Sequence, residues 1–442
     1  MNLRLGGFKL LLMVPFCVAP CQSQSARMGN LSTHVDSLIA AMPSSTGGGQ
    51  YKSPSATQQS DWKTMVESIL KGDMNTAVAM AAGLGYQVVE FTDSAVVPYM
   101  THAVVEKTAA SSNHWGTYIF NRSPRRSKLV IQSPHPLNDS KTGAQGFSVY
   151  QTVSARAFFV SGAHRCNSPL YSTCSGTTTS CSSTDEPYRM SDQPHVVDGM
   201  FQISTEAFLG LVDSCIFLQP HGFAKLATDP DIIMSNGTQK APPSGSDHLL
   251  RLRDNLSTID PTLTFKVAHV DTTWTRLIAT TNTQGRRING STAPCTASAT
   301  SASGRFLHLE QKYTGLRDTK QNWNKLAQAV ALTFPETPTG VASERPPDFA
   351  LFHNYPNPFN GTTTIVYTLT TDAAGTVQTL SPRTTLTVYD LLGRAVTTFP
   401  EAPGWPGQHR LMFDAAGLPS GTYYAVLQTP VSIRVIPMLL LR

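Results

Sequence analysis

The chain has 442 residues, of which 14% are charged, with a net charge of +5 and seven cysteines. That length exceeds one ordinary domain and predicts two or three. The mild balance, with no long Lys/Arg run, argues against nucleic acid as a partner, because nucleic-acid binders concentrate cations on one face.

Residues 1–25 read as a secretory signal: Arg4 and Lys9 lie ahead of or at the start of an apolar run, Leu10 to Ala19, which small and polar residues follow. The run is too short for a permanent span, so no stable transmembrane segment is expected. Cleavage is expected after Cys21; lipidation of Cys21 is the alternative, which Pro20 disfavours. Loss of Cys17 and Cys21 leaves Cys166, Cys174, Cys181, Cys215 and Cys295, an odd number in an oxidising compartment, so one thiol should stay free. Cys166, Cys174 and Cys181 fall in a Ser/Thr/Gly-rich loop and predict a local disulfide; without a CxxC pair a Cys-based metal site is disfavoured. Residues 26–62 are polar and predict a loosely ordered lead-in.

From residue 63 to 333 the pattern changes. TMVESILKGDMNTAVAMAAGLG predicts one or two helices, and YQVVEFTD a strand. KLVIQ, ARAFFVSG, SCIFLQ and DIIMSN are short and almost continuously apolar, as strands buried on both faces are, with helical patterns between them. The fold class predicted is α/β, a mostly parallel sheet with helices on both faces.

Ligands of open parallel sheets sit beyond the carboxyl ends of the strands. The residues placed there are His135 after KLVIQ, His164, Arg165 and Asn167 after AFFVSG, His221 after CIFLQ, and Asn236 after DIIMS. His135 and Asp139, four apart, can face one way; with His221 they offer two imidazoles and a carboxylate, a donor set suited to catalytic zinc. Turn roles for His135 and Asp139 are the plainer alternative. Glu310, closing the apolar strand Phe306 to Leu309, is the candidate base, since a carboxylate there is costly unless it functions. Arg317 follows shortly. His308 is expected to point away from the site. Asp192 reads as a helix N-cap with His195 in the first turn, both held in reserve as ligands. GxSxG, HExxH and GxxxxGK motifs are absent from the sequence.

This order of residues resembles the zinc carboxypeptidase and N-formylglutamate amidohydrolase group of metallohydrolases, over roughly Tyr86 to Leu332. The resemblance implies a zinc-peptidase-like fold and zinc held by His135, Asp139 and His221. It also implies that Glu310 activates water, that Arg165 polarises the scissile carbonyl or grips a carboxylate, and that His164, Asn167 and Arg317 contact substrate. The family pattern places a Glu three residues after the first His; here Asp139 follows by four.

Residues 334–347 are Pro-rich and predict a stiff spacer. Residues 348–442 alternate apolar and polar residues between Gly/Pro turns and predict a small β-sandwich. The series LFHNYPNPFNGTTTIVYTL, VYDLLGRAV and GLPSGTYYAVLQT is similar to the C-terminal sorting domain of type IX secretion cargo, with TDAAGTVQTLSP as an inserted loop. It implies engagement of the outer-membrane secretion machinery, passage through the periplasm, removal of this domain, and release or display at the cell surface. The whole predicts a secreted zinc-dependent hydrolase of a peptide or amide substrate; the alternative is a non-catalytic surface binding protein on the same fold.

Overall fold

A computed structural model describes residues 25–96, 99–336, 349–369, 385–399, 407–428 and 433–442. The expected signal as far as Gln24, the spacer from residue 337 and the inserted loop lie outside the described residues. The chain divides into two compact units, residues 1–338 and 339–442.

The strands of the first unit are β1 (Ser25–Gly29), β2 (Tyr86–Asp93), β3 (Met100–Lys107), β4 (Thr117–Asn121), β5 (Arg126–Ser133), β6 (Ala155–Val160), the two-residue β7 (Thr177–Thr178) and β8 (Glu186–Pro187), β9 (Ile216–Gly222), β10 (Ile232–Ser235), β11 (Phe265–Val267) and β12 (Phe306–Gln311). Ten of them form one sheet in the order β1-β2-β3-β4-β6-β5-β9-β12-β10-β11. Five of its nine pairings are parallel, including the run β6-β5-β9-β12. Those four strands therefore deliver their carboxyl ends to the same edge. β10 runs antiparallel to β12, so Asn236 emerges at the opposite edge and not beside His135 and His221. There its side chain closes a turn, accepting from Thr238 N–H and donating to Lys240 O.

Alternation along each strand sends successive side chains to two separate cores. Leu129 and Ile131 of β5 face α1 (Leu31–Ala40), α4 (Thr142–Val153), α6 (His248–Ile259) and α8 (Lys320–Thr333). Val130 faces the other way, toward α2 (Ala56–Lys71), α3 (Met74–Gly83), α5 (Met200–Leu211) and the short α7 (Thr283–Ile288). Both sheet faces are thus covered by helices. The second core centres on Trp62, fully buried, edge-on to Tyr86, Trp115 and Tyr118, with Nε1 donating to Ser204 Oγ at 2.9 Å. Truncating such a side chain to Ala costs about 3–5 kcal/mol.

Residues 26–62 are not a loose lead-in. β1 pairs with β2, Leu31 and Val35 of α1 are fully buried, and α2 opens on a capping box in which the Ser55 side chain accepts from Gln58 N–H and the Gln58 side chain from Ser55 N–H. At the other end of the unit, Arg126 on β5 is buried and donates from Nη1 to Val153 O at 2.6 Å, from Nη2 to Ala331 O at 3.2 Å and from Nε to Phe334 O, where α4 and α8 finish.

Cys166 is bonded to Cys181 and Cys174 to Cys295, with Cys215 free and buried. The second bond ties the loop after β6 to a segment 121 residues on. No helix among the described residues is long and apolar enough to cross a membrane.

The second unit contains two antiparallel sheets. One holds β13 (Phe349–Tyr355), β14 (Thr362–Leu369) and β17 (Gly407–Asp414) in that order; the other runs β16 (Ala395–Phe399), β15 (Thr385–Tyr389), β18 (Gly421–Gln428), β19 (Ile433–Leu440). Ile365, Tyr367 and Phe413 of the first sheet share a core with Leu386, Ala425, Leu427 and Met438 of the second, as the inward positions of a sandwich do. Asn354 Nδ2 donates to Thr363 Oγ1 at 3.0 Å, and Asn357 Oδ1 accepts from Leu439 N–H at 2.8 Å, so the NYPN turn is fastened to strands on both sides. Gly393, at φ 75°, makes the left-handed turn between β15 and β16.

Candidate metal centre

The carboxyl ends of β5, β6, β9 and β12 open on a cleft of about 680 Å³. His135, Asp139, Arg165, His195, His221, His308 and Glu310 border it. Just past β5 the chain makes a single turn, Asp139 N–H bonding to His135 O at 3.0 Å, which brings the two side chains together despite the four-residue spacing. Asp139 Oδ2 lies 3.3 Å from His135 Nδ1, 3.1 Å from His221 Nδ1 and 3.2 Å from Gly222 N–H. All three side chains are buried.

His135 Nε2 is 2.8 Å from Asp192 Oδ1 and so carries a proton toward it. His221 Nε2 faces Gln219 Oε1 at 3.4 Å, a long contact of the same sense. With their protons on Nε2, the two rings would turn two Nδ1 lone pairs toward the Asp139 Oδ2 that Gly222 N–H also touches, a donor set able to converge on one cation. Zinc–nitrogen and zinc–oxygen bonds of about 2.0–2.2 Å in a tetrahedron separate neighbouring donors by about 3.3–3.6 Å, close to the distances found. His135, Asp139 and His221 therefore fit a divalent cation such as zinc.

Burial and Arg165 oppose a charged His135, yet Asp139 and Asp192 outweigh them and raise its pKa. His221 is pushed down to about 4, chiefly by burial. Burial opposes ionisation of Asp139, but His135 and His221 hold its carboxyl well below the usual range.

Asp192 is not a helix cap. It precedes a short 3-10 turn without capping it, and α5 is preceded instead by Gly199. Its fully buried carboxylate receives His135 on Oδ1, and Arg165 Nε at 3.0 Å and Nη2 at 2.6 Å on Oδ2. Despite burial, Arg165, His195 and His135 keep it ionised. His195 Nδ1 stands 3.2 Å from Asp192 Oδ1, while its ring stacks on Tyr188 with centroids 3.5 Å apart; burial lowers its pKa.

His308 does not point away. Two residues before Glu310 on β12, it shares Glu310's face of the sheet, by the same period of two that separates the cores. Its ring lies 4.5 Å from that of His221, and its Nε2 is 3.6 Å from Glu310 Oε1. His221, His308 and Glu310 form a second close group of potential ligands. Burial raises the Glu310 carboxyl well above its ordinary pKa, with Asp139 adding to the effect, and Oε2 has no hydrogen-bond partner. Burial and His221 hold His308 neutral.

Three residues expected to contact substrate are not among those that border the cleft. Asn167 is wholly buried, donating to Ser45 O and Gln50 Oε1 and accepting from Tyr51 N–H, so it moors the segment between α1 and α2. His164 Nδ1 accepts Cys166 N–H, closing the turn after β6. Arg317 donates to Gln311 O at 3.1 Å and to Ser140 O, fastening the Asp139 loop to β12; a Cβ at Gly222 would meet its guanidinium at 2.1 Å. Beneath the cluster, Asn282 and Gln219, Gln219 and Gln132, and Gln132 and Thr205 form a buried chain of side-chain hydrogen bonds at 2.8–2.9 Å.

Comparison with known proteins bears first on the second unit. Residues 353–435 match the secretion system C-terminal sorting domain. This sorting domain belongs to type IX export and gives the chain an outer-surface or secreted destination. No curated protein matches the chain. An X-ray structure of the endo-β-1,4-mannanase from Thermotoga petrophila aligns over 30% of this chain and 25% of that one, at 10% identity and a TM-score of 0.16, a likeness too slight to inform the fold.

Proposed function

We propose that the exported cargo, the unit ending near residue 336, is a zinc-dependent hydrolase of amide or peptide bonds. The observation that carries this reading is the convergence of His135 Nδ1 and His221 Nδ1 on Asp139 Oδ2 at 3.3 and 3.1 Å, beside a buried carboxyl with a free oxygen. Zinc there would supply electrophilic activation of a carbonyl and of a water.

The remaining work falls to side chains. Asp192 holds the His135 proton on Nε2 and keeps Nδ1 available, as carboxylate partners of ligating imidazoles do. Glu310 takes a proton from the attacking water and returns it to the leaving nitrogen. Burial and Asp139 raise the Glu310 carboxyl well above its ordinary pKa; positive charge beside Asp139 would offset that repulsion and bring Glu310 toward its basic form. Arg165, charge-balanced by Asp192 and bordering the cleft, is the donor for the substrate carbonyl.

The test is a zinc titration of the full-length protein. About one zinc per chain should bind, and His135→Ala and His221→Ala should each abolish it; full occupancy in both variants would sink the site. Because the His135 pKa is raised, uptake must displace its proton. Affinity should therefore fall as pH drops below that pKa, by about tenfold per pH unit for each proton displaced, and level off above it.

A further inference from the structure

At the edge of the sheet opposite the cleft, three cations line a hollow of about 230 Å³. Arg156 is the second residue of β6, far from the end of that strand that opens on the cleft. β4 runs antiparallel to β6, with Phe120 opposite Ala157. Arg122, just past the end of β4, therefore comes up beside Arg156, and Lys71, the last residue of α2, closes a third side.

Arg156 differs from the other arginines buried in this unit. Arg126, Arg286 and Arg317 direct their guanidinium groups onto backbone carbonyls, and Arg165 onto the Asp192 carboxylate. Arg156 is half-buried, yet no described residue accepts a hydrogen bond from it or pairs with its charge. Burial disfavours that charge and Arg122 adds repulsion; Cys215, which acts the other way, has its thiol raised to about 12 by burial and so is uncharged at neutral pH. Arg122 is little better served, its Nη1 standing 3.4 Å from Met74 Sδ, a weak acceptor. Of the three cations, only Lys71 has a carboxylate partner among the described residues, Glu67 one turn back at 3.5 Å. A partly desolvated cation without a partner is destabilising. Two guanidinium groups side by side add mutual repulsion, and one anion between them relieves both costs.

We propose that Arg156, Arg122 and Lys71 bind a phosphate group, carried by a free phosphate ester or by a lipid headgroup at the outer surface to which the chain is delivered. Two guanidinium forks and an ammonium match the three terminal oxygens of a phosphate monoester, whereas a carboxylate offers two. The hollow is smaller than the ~300–1,000 Å³ of pockets that enclose drug-sized ligands, so it takes the phosphate and leaves the rest of the ligand outside.

The experiment uses full-length protein stripped of metal with EDTA, so that phosphate has no zinc to bind, and titrates inorganic phosphate and acetate at constant ionic strength by isothermal calorimetry. Wild-type protein should bind phosphate at least about tenfold more tightly than acetate. Arg156→Gln and Arg122→Gln should each weaken phosphate by about ten- to a hundredfold, the weight of a charge-assisted bond. Arg156→Lys keeps the charge but loses the fork and should weaken it less. Arg122 is exposed, so Arg122→Gln tests the site even where Arg156→Gln melts early. Pelleting with vesicles of phosphatidic acid in phosphatidylcholine, against phosphatidylcholine alone, separates the two sources. Pelleting that Arg156→Gln loses assigns the headgroup; no pelleting, or pelleting that this variant retains, assigns the free ester. No phosphate binding by wild-type protein, binding no tighter than acetate, or an unchanged phosphate affinity in either folded Gln variant overturns the proposal. The outcome is independent of the hydrolase reading, because the hollow and the metal centre lie at opposite edges of the sheet.

Discussion

In the first unit the interior beneath His221 is occupied by Gln132, Gln219 and Asn282 in a hydrogen-bonded chain, whereas the sorting domain fills the corresponding space with Ile365, Tyr367, Phe413, Leu427 and Met438. Amide chains of this kind tolerate one arrangement only, because each member left unpaired costs about 1–3 kcal/mol. An apolar core accepts many substitutions of equal volume. The contrast suggests where each unit stores its specificity: the first in buried atoms fixed relative to one another, the second in short surface turns such as those built on Asn354 and Asn357.

The largest effect that tests this contrast is loss of the sorting domain. A chain ending before Phe349 should remain folded and zinc-competent yet stay in the periplasm, since each unit has its own core; cell fractionation showing normal surface delivery would break the division of labour. Next in size is Glu310→Gln. It keeps the shape of the side chain, so zinc content and export should be unchanged while turnover falls by roughly two to four orders of magnitude. Loss of zinc in that variant would instead recast Glu310 as a ligand, through its group with His221 and His308.

Smaller, but felt in two measurements, is Asp192→Asn. Zinc affinity should fall about 10- to 100-fold because His135 loses its orienting partner. Stability should fall by about 3–5 kcal/mol because Arg165 is left buried without its counter-charge. In the unaltered protein the Asp192 pKa is depressed, so its stabilisation is present above the unfolded carboxylate value and is lost as pH falls. A melt of Asp192→Asn that matches wild type at neutral pH would show that the buried pair contributes little.

The strands that end at the site were readable because KLVIQ, AFFV and CIFLQ are runs with no polar interruption. β3 was not, since Thr101, His102 and Glu106 break the run while His102 is in fact buried on Tyr150. The SATQ capping signal ahead of α2 and the four-residue spacing of Leu31 and Val35 were present in residues 26–62, but the surrounding Gly, Ser and Gln obscured them. His308 is legible by the period of two, which puts it on the same face of β12 as Glu310. Asp192 is legible in the sequence only as a cap or a reserve ligand; its pairing with His135 and Arg165, 57 and 27 residues away, arises from the packing of three loops.

Arg126 joins two regions that meet nowhere else in sequence. It belongs to the strand that leads to His135, and it grips the last carbonyls of α4 and α8 just before the chain passes into the spacer. A pull exerted on the cargo through its sorting tail would meet the exposed Glu336–Arg125 ion pair, at 3.3 Å, and then Phe334. There it meets three bonds, two of them to the end of α8, all radiating from one rigid guanidinium, so the load passes across into a central strand instead of peeling the terminal helix from its end.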